Sequence, residues 1–331
     1  MTVPVRLMVL LLLLLLLLGA AAPARAQGFS FAAFGDMPYC RTAETCSEEF
    51  ARVVALTGAI NAARPAFTIF LGDTKGGGEH CTDAIVFDRT LDWMGRIEGP
   101  LIYTPGDNEW TDCWQDRAGR HDPISLLRRI RERFFAAPRS LGRAPMPLTR
   151  QADLSPAHAP FVENARWERD GVMFLTAHVT GSDNNRPQEG RPAPPGAAEE
   201  WPVRNAANIA WINEGFDLAI REGRRAIVVA LQADLWYRQR CGRGTEAGHA
   251  DTRRALAEGA RRFGRPVLVL HGDSHFWLKD QPVADAPNLT RVLVPGDRDI
   301  RAVLVRVDPA AAQPFAFELI GAADRAAPAH C

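Results

Sequence analysis

FSFAAFGD (residues 29–36), AFTIFLGD (66–73) and LIYTPGDNE (101–109) are three apolar runs, each ending at a glycine followed by an aspartate. Their length and their aromatic and β-branched content predict strands. Between the first two, Phe50, Val53, Val54 and Ile60 recur on one face of a helix, and residues 84–97 read as a second helical segment. Strand–helix–strand at this spacing predicts parallel pairing with right-handed crossovers.

The middle of the chain is less regular. Pro-rich stretches at 144–159 and 184–197 read as long surface loops around a strand at 171–176, followed by a helix over 205–221. RAIVVAL (225–231) is the most strongly apolar strand, ending at Gln232 and Asp234. A helix over 251–263 leads to PVLVL (266–270), which ends at His271-Gly-Asp273-Ser-His275. Short strands near 290–294, 301–307 and 315–320 close the chain. No repeat and no linker divides it, so the pattern predicts one α/β domain in which helices cover two packed, mixed sheets, an α-β-β-α arrangement in four layers.

The amino terminus speaks to the compartment. Arg6 precedes an apolar run over 7–18, and Ala24-Arg25-Ala26 has the small residues a signal peptidase reads. Residues 1–26 are therefore expected to be a cleaved signal, leaving 27–331 as a secreted or periplasmic domain. An uncleaved anchor is the alternative, but the run is shorter than the ~20 residues a bilayer span needs. With the signal removed, no later segment is apolar enough to act as a membrane anchor. All six cysteines follow the signal, and an even count in an exported chain reads as disulfides. Cys81 and Cys113 follow adjacent strand-end loops and are expected to pair. Cys40 and Cys46 would close a tight local loop, leaving Cys241 with Cys331. The formal net charge is +0, so no electrostatic footprint marks a nucleic-acid partner. Only Lys75 and Lys279 are lysines.

Ligands of open α/β sheets bind beyond the carboxyl ends of the strands. Here those ends carry Asp36, Asp73, Asp107, Asn108, Glu109, Gln232, Asp234, His271, Asp273 and His275. A single Asp after a strand usually caps the next helix. Five strand ends sending carboxylates, amides and imidazoles to one rim need protons or cations to neutralise them. A divalent metal is the simplest resolution.

The order of these motifs resembles the calcineurin-like metallophosphoesterases, which carry in sequence an Asp-x-His, a Gly-Asp, a Gly-Asn-His-Asp/Glu, a strand-end His and a Gly-His-x-His. The counterparts here are Gly35-Asp36-Met-Pro38, Gly72-Asp73, Gly106-Asp107-Asn108-Glu109, Gln232 and Gly272-Asp273-Ser-His275. The resemblance spans nearly the whole mature chain and implies that family's two-sheet fold. It also implies metal ligation by Asp36, Asp73, Asp107, Gln232, Asp273 and His275, with Asp73 shared if two ions bind.

The departures are substantial. Pro38 stands where the family has a histidine, Asp107 replaces its metal-binding Asn, and Asn108 replaces the His that assists the departing group. Gln232 and Asp273 replace ligand histidines, and only His275 of those imidazoles remains. So oxygen-rich a set suits Mn²⁺ or Mg²⁺, with Ca²⁺ as a further option, better than Zn²⁺ or Fe.

Lys75, followed by three glycines, could meet a phosphate oxygen, with a solvated loop as the bland alternative. His271 could supply the missing proton, and His80 could do the same. His178 reads as structural, while Tyr39, Trp110 and Trp114 could wall the cleft. Asn288-Leu-Thr290 matches a glycosylation triplet. The expectation is a hydrolase of small phosphate esters with His271, Asn108 and Lys75 in catalytic roles. The alternative is a non-catalytic relative that binds a phosphate-bearing ligand or a structural cation.

Overall fold

The structure is a computed structural model, and it describes residues 28–326. The expected signal and Cys331 lie outside those residues, and the proposed partner of Cys241 with them. Among the described residues two mixed sheets stack. The first has the order β12 (Phe315–Gly321), β11 (Arg301–Val307), β1 (Phe29–Phe34), β2 (Thr68–Phe70), β3 (Leu101–Tyr103). The second runs β4 (Thr149–Arg150), β5 (Ala165–Arg169), β6 (Val172–Thr176), β7 (Ala226–Ala230), β8 (Val267–His271), β10 (Leu289–Leu293), β9 (Leu278–Asp280). Strands β1, β2 and β3 are parallel, as are β6, β7, β8 and β10, as the strand–helix–strand spacing predicts.

The layering follows from the two-residue period of a strand. Phe31 and Ala33 of β1, with Ala226, Val228 and Ala230 of β7, belong to the apolar layer between the sheets. Ala32 and Phe34 face outward onto Val53, Leu56 and Ile60 of α1 (Ala43–Ala63). Ile227 and Val229 face outward onto Trp211, Ile212 and Phe216 of α2 (Ala197–Arg221) and onto Leu256 and Ala260 of α3 (Ala250–Phe263). This gives the four-layer α-β-β-α sandwich.

Several expectations need correction. The long helix begins at Ala197, well before residue 205, and carries Pro202 inside it. The segment after residue 84 is a π-helix over Ala84–Asp88 followed by an α-helix over Arg89–Met94. Strands β4, β5 and β9 were not anticipated, because they are short or carry charged residues at alternate positions. Trp110 is buried against His178 and lines no cleft. Asn288 donates its amide to Ala260 O and Arg265 O, at 2.8 and 2.7 Å, an engagement that a glycan on that nitrogen would disturb.

The expected bridges Cys81–Cys113 and Cys40–Cys46 are both formed. The first joins the loops after β2 and β3 at the rim. No helix among the described residues is long and apolar enough to cross a membrane.

Candidate metal centre

Three carboxylates reach the rim through one local device. Asp36, Asp73 and Asp273 each follow a glycine at a strand end and adopt left-handed backbone, with φ of 58°, 58° and 77°. Aspartate tolerates that region better than most residues. The glycines allow the close approach: a Cβ on Gly272 would collide with Asp36 Oδ2, and one on Gly106 with Asp73 Oδ1.

Asp36, Asp73 and His275 converge, with ligand atoms all within 4.8 Å of one another. The His275 Nε2 lies 3.5 Å from Asp36 Oδ1, which also accepts the Asp273 N–H at 2.9 Å. Asp36 Oδ2 is buried and has no hydrogen-bond partner. An orphaned buried carboxylate oxygen is costly unless a cation completes it. Two carboxylates and an imidazole are therefore a donor set that fits one divalent ion.

Asp73 is more heavily engaged. Its Oδ1 accepts the Asn108 N–H at 3.1 Å, while Oδ2 accepts the Tyr39 hydroxyl at 2.6 Å and the Asn108 amide at 2.7 Å. Burial, then the charges of Asp107, Glu109 and Asp36, hold its carboxyl well above the usual carboxylate range. Burial and the Asp73 charge likewise push the Tyr39 phenol up, and that ring packs edge-on against His275. Glu109 is a brace for this loop. Its Oε1 accepts from Tyr103 OH at 2.7 Å, Gly106 N at 2.8 Å and Asp73 N at 3.2 Å.

Asp107, Gln232 and Asp273 form a second group around the segment Gly181–Ser182. Gln232 Oε1 accepts the Gly181 N–H at 2.6 Å, and its amide donates to Asp273 Oδ1 at 3.4 Å. Asp273 Oδ2 accepts the Asp234 N–H at 3.1 Å. The Ser182 hydroxyl sits 2.9 Å from Asp107 Oδ2 and 2.7 Å from Asp112 Oδ1. Burial raises the carboxyls of Asp107, Asp112 and Asp273, the last to about 6, with neighbouring acid charge adding to the effect at Asp107 and Asp273.

The remaining candidates sit elsewhere. Lys75 is fully buried; its ammonium donates to Gly76 O at 3.1 Å, and burial lowers its pKa. It therefore lies inside its loop and not at an open phosphate cradle. His271 is also enclosed, with Nδ1 3.0 Å from Gly272 O and Nε2 4.0 Å from Asp234 Oδ1. Burial lowers its pKa to about 4, so it is neutral near pH 7. Asp234 belongs to the same buried network. There burial opposes its charge, but His271, Arg291 and Arg240 outweigh that and lower its pKa. His178 bonds Glu163 at 2.8 Å, the structural role expected of it. A further cluster, Asp183, Glu246 and His249, also converges; His249 Nε2 lies 2.8 Å from Thr180 O and its Nδ1 3.0 Å from Glu246, while the Arg186 and Arg238 side chains each stand 3.7 Å from one acid.

The sequence reading missed the segment at Ser182. Residues Ser182, Asp183, Asn184 and Asn185 are all left-handed, with φ between 48° and 60°. The Ser-Asp-Asn-Asn composition was the available signal, since these residues favour such turns. Beside them a cavity of about 290 Å³ is lined by Asp112, Trp114, Ser182, Asp183, Arg186 and Glu246, among others.

No protein-family model and no curated protein matches the sequence. Solved structures do match. A dimetal phosphatase from Danio rerio aligns with TM-score 0.55 and 9% identity over 88% of this chain and 98% of its own. A purple acid phosphatase from yellow lupin (Lupinus luteus) seeds aligns with TM-score 0.54 and 11% identity, over 92% of this chain and 54% of its own. Both have the calcineurin-like metallophosphoesterase fold, and at this identity the likeness establishes that fold for the present chain.

Proposed function

We propose that this chain, on the calcineurin-like phosphoesterase fold, is an exported, metal-dependent hydrolase of small phosphate esters. The observation that carries the reading is the buried, unpartnered Asp36 Oδ2 beside Asp73 and His275, at strand ends of a fold shared with two phosphatases. Asp36, Asp73 and His275 would hold Mn²⁺ or Mg²⁺, with Ca²⁺ as a third option. When bound, such an ion supplies positive charge to phosphoryl oxygens and makes a water acidic near neutral pH.

The chain's own groups set the rest. Asn108 and Tyr39 orient the Asp73 carboxylate. Neither His271 nor Lys75 has exposed surface from which to protonate a departing alcohol. His80, exposed on the loop after β2, is the remaining proton-donor candidate, so the reading favours esters with good leaving groups, aryl phosphates above all. The same burial favours a second reading, in which a phosphate ligand is bound without turnover.

Metal-free protein should be assayed with p-nitrophenyl phosphate and bis(p-nitrophenyl) phosphate, with and without Mn²⁺. Hydrolysis of either that requires Mn²⁺ and is lost in Asp36→Asn is the expected result. Metal-dependent binding of inorganic phosphate with no nitrophenolate release would favour the second reading. Absence of both would remove the phosphoester reading.

A further inference from the structure

The fold's relatives include a phosphatase described as dimetal, and five rim motifs could in principle supply two ions. The side chains here do not divide that way. We infer that the centre takes a single divalent cation, at Asp36, Asp73 and His275, and that the Gly181–Ser182 segment occupies the place of a second. This rests on the metal-dependent reading above and specifies its stoichiometry.

Three observations carry it. A carboxylate offers about four lone-pair sites. Asp73 accepts three hydrogen bonds, from Asn108 N, Asn108 Nδ2 and Tyr39 OH, which leaves about one site for an ion and none for a second. Three acceptors of the other group are also taken, while Asp107 Oδ1 is buried without a partner. Gln232 Oε1 accepts from Gly181 N, Asp273 Oδ2 from Asp234 N, and Asp107 Oδ2 faces the Ser182 hydroxyl. Finally, the two remaining oxygens lie close against Gly181. A Cβ built on Gly181 would stand 2.7 Å from Asp273 Oδ1 and 2.8 Å from Asp107 Oδ1. Gly181 is thus packed directly against both carboxylates, and no larger residue could stand there.

The segment is not free to withdraw. Arg204, fully buried, donates to Asn184 Oδ1 at 2.6 Å, to Asn184 O at 2.9 Å and to His178 O at 2.7 Å. Thr111 Oγ1 donates to Asn185 Oδ1 at 2.7 Å, and Gly248 N donates to Asp183 Oδ1 at 2.7 Å. Asp183, Asn184 and Asn185 are therefore held from three other parts of the chain, at Gly248, Arg204 and Thr111.

The test is a count of Mn²⁺ bound by the metal-free chain, by calorimetric titration and by electron paramagnetic resonance of the loaded protein. One ion per chain with an isolated Mn²⁺ spectrum is expected. Asp107→Asn and Asp273→Asn should leave the count at one. Asp36→Asn should weaken binding by more than the roughly 10–100-fold typical of losing an outer-shell partner. Two ions per chain, or a spin-coupled pair, would overturn the inference while leaving the metal-dependent reading standing. Zero ions would remove that reading and the inference together. Because the wild-type count decides the question, it does not depend on any variant folding.

Discussion

At Asp73 the electrostatics set up an experiment that separates a ligand from a loop cap. Its carboxyl is raised by burial and by the Asp107, Glu109 and Asp36 charges, so the folded chain holds a proton that the unfolded chain has released. A carboxyl raised on folding costs stability as pH climbs above its unfolded value, about 4, through the folded value. His178 and His271, both lowered to about 4 by burial, work in the opposite direction between about pH 4 and 6.5. The informative quantity is therefore a difference in which the histidines cancel. In chelator, the Tm of Asp73→Asn minus that of the wild type should grow as pH rises from 4 to 7. At pH 7, added Mn²⁺ should raise the wild-type Tm and leave Asp73→Asn unmoved, and hydrolysis should vanish in the variant. Full activity in Asp73→Asn with unchanged Mn²⁺ dependence would make Asp73 a cap for its own loop.

Among elements, the long parallel strands were legible because their apolar runs are uninterrupted and stop at Gly-Asp. Strands β1, β7 and β8 fall within a residue or so of the expected spans, and β2 is a shorter core of its run. The carboxylates and the imidazole at their ends were legible for the same reason. What escaped was structure held by long-range contacts. Strand β5 has Arg166 and Glu168 at alternate positions, so it lacks an apolar signature although its inner face is buried. The left-handed turn over 182–185 has no periodicity; its shape is fixed by Arg204, which lies about twenty residues onward on α2. The burial of His271 and Lys75 was not legible because sequence gives position along a strand end but not depth. Each L-residue in left-handed backbone costs roughly 1–2 kcal/mol, so four in succession need an external clamp. Arg204→Met should accordingly destabilise the chain by roughly 3 kcal/mol, the low end for a broken buried pair, since its partner Glu200 keeps 11% of its side-chain exposure. Chemical denaturation would measure it. A change within about 0.5 kcal/mol, the ordinary range for surface substitutions, would mean the turn holds itself.

On the scale of the whole molecule, the proposed ligands come from both sheets. Asp36 and Asp73 end β1 and β2 of the first sheet, whereas His275 follows β8 of the second. Hydrogen bonds already stitch this seam, with Asp297 N donating to the Asp36 carbonyl at 2.7 Å and Asp273 N to the Asp36 side chain at 2.9 Å. A cation held by all three side chains would be a further cross-link between the layers, present only in the native state. Binding of that kind stabilises by mass action, about 2.7 kcal/mol at a hundred times the dissociation constant. The gain should be local in its dynamics as well as global in Tm. Hydrogen exchange on adding Mn²⁺ should slow at residues 36–39, 73–76 and 272–276, on both sides of the seam, while the far strands β4 and β12 stay unchanged below the global unfolding limit. Slowing confined to the Asp36 and Asp73 loops would mean that His275 is not a ligand and that the ion belongs to one sheet alone. The two sheets would then be joined at the rim by these hydrogen bonds and the apolar layer without the ion.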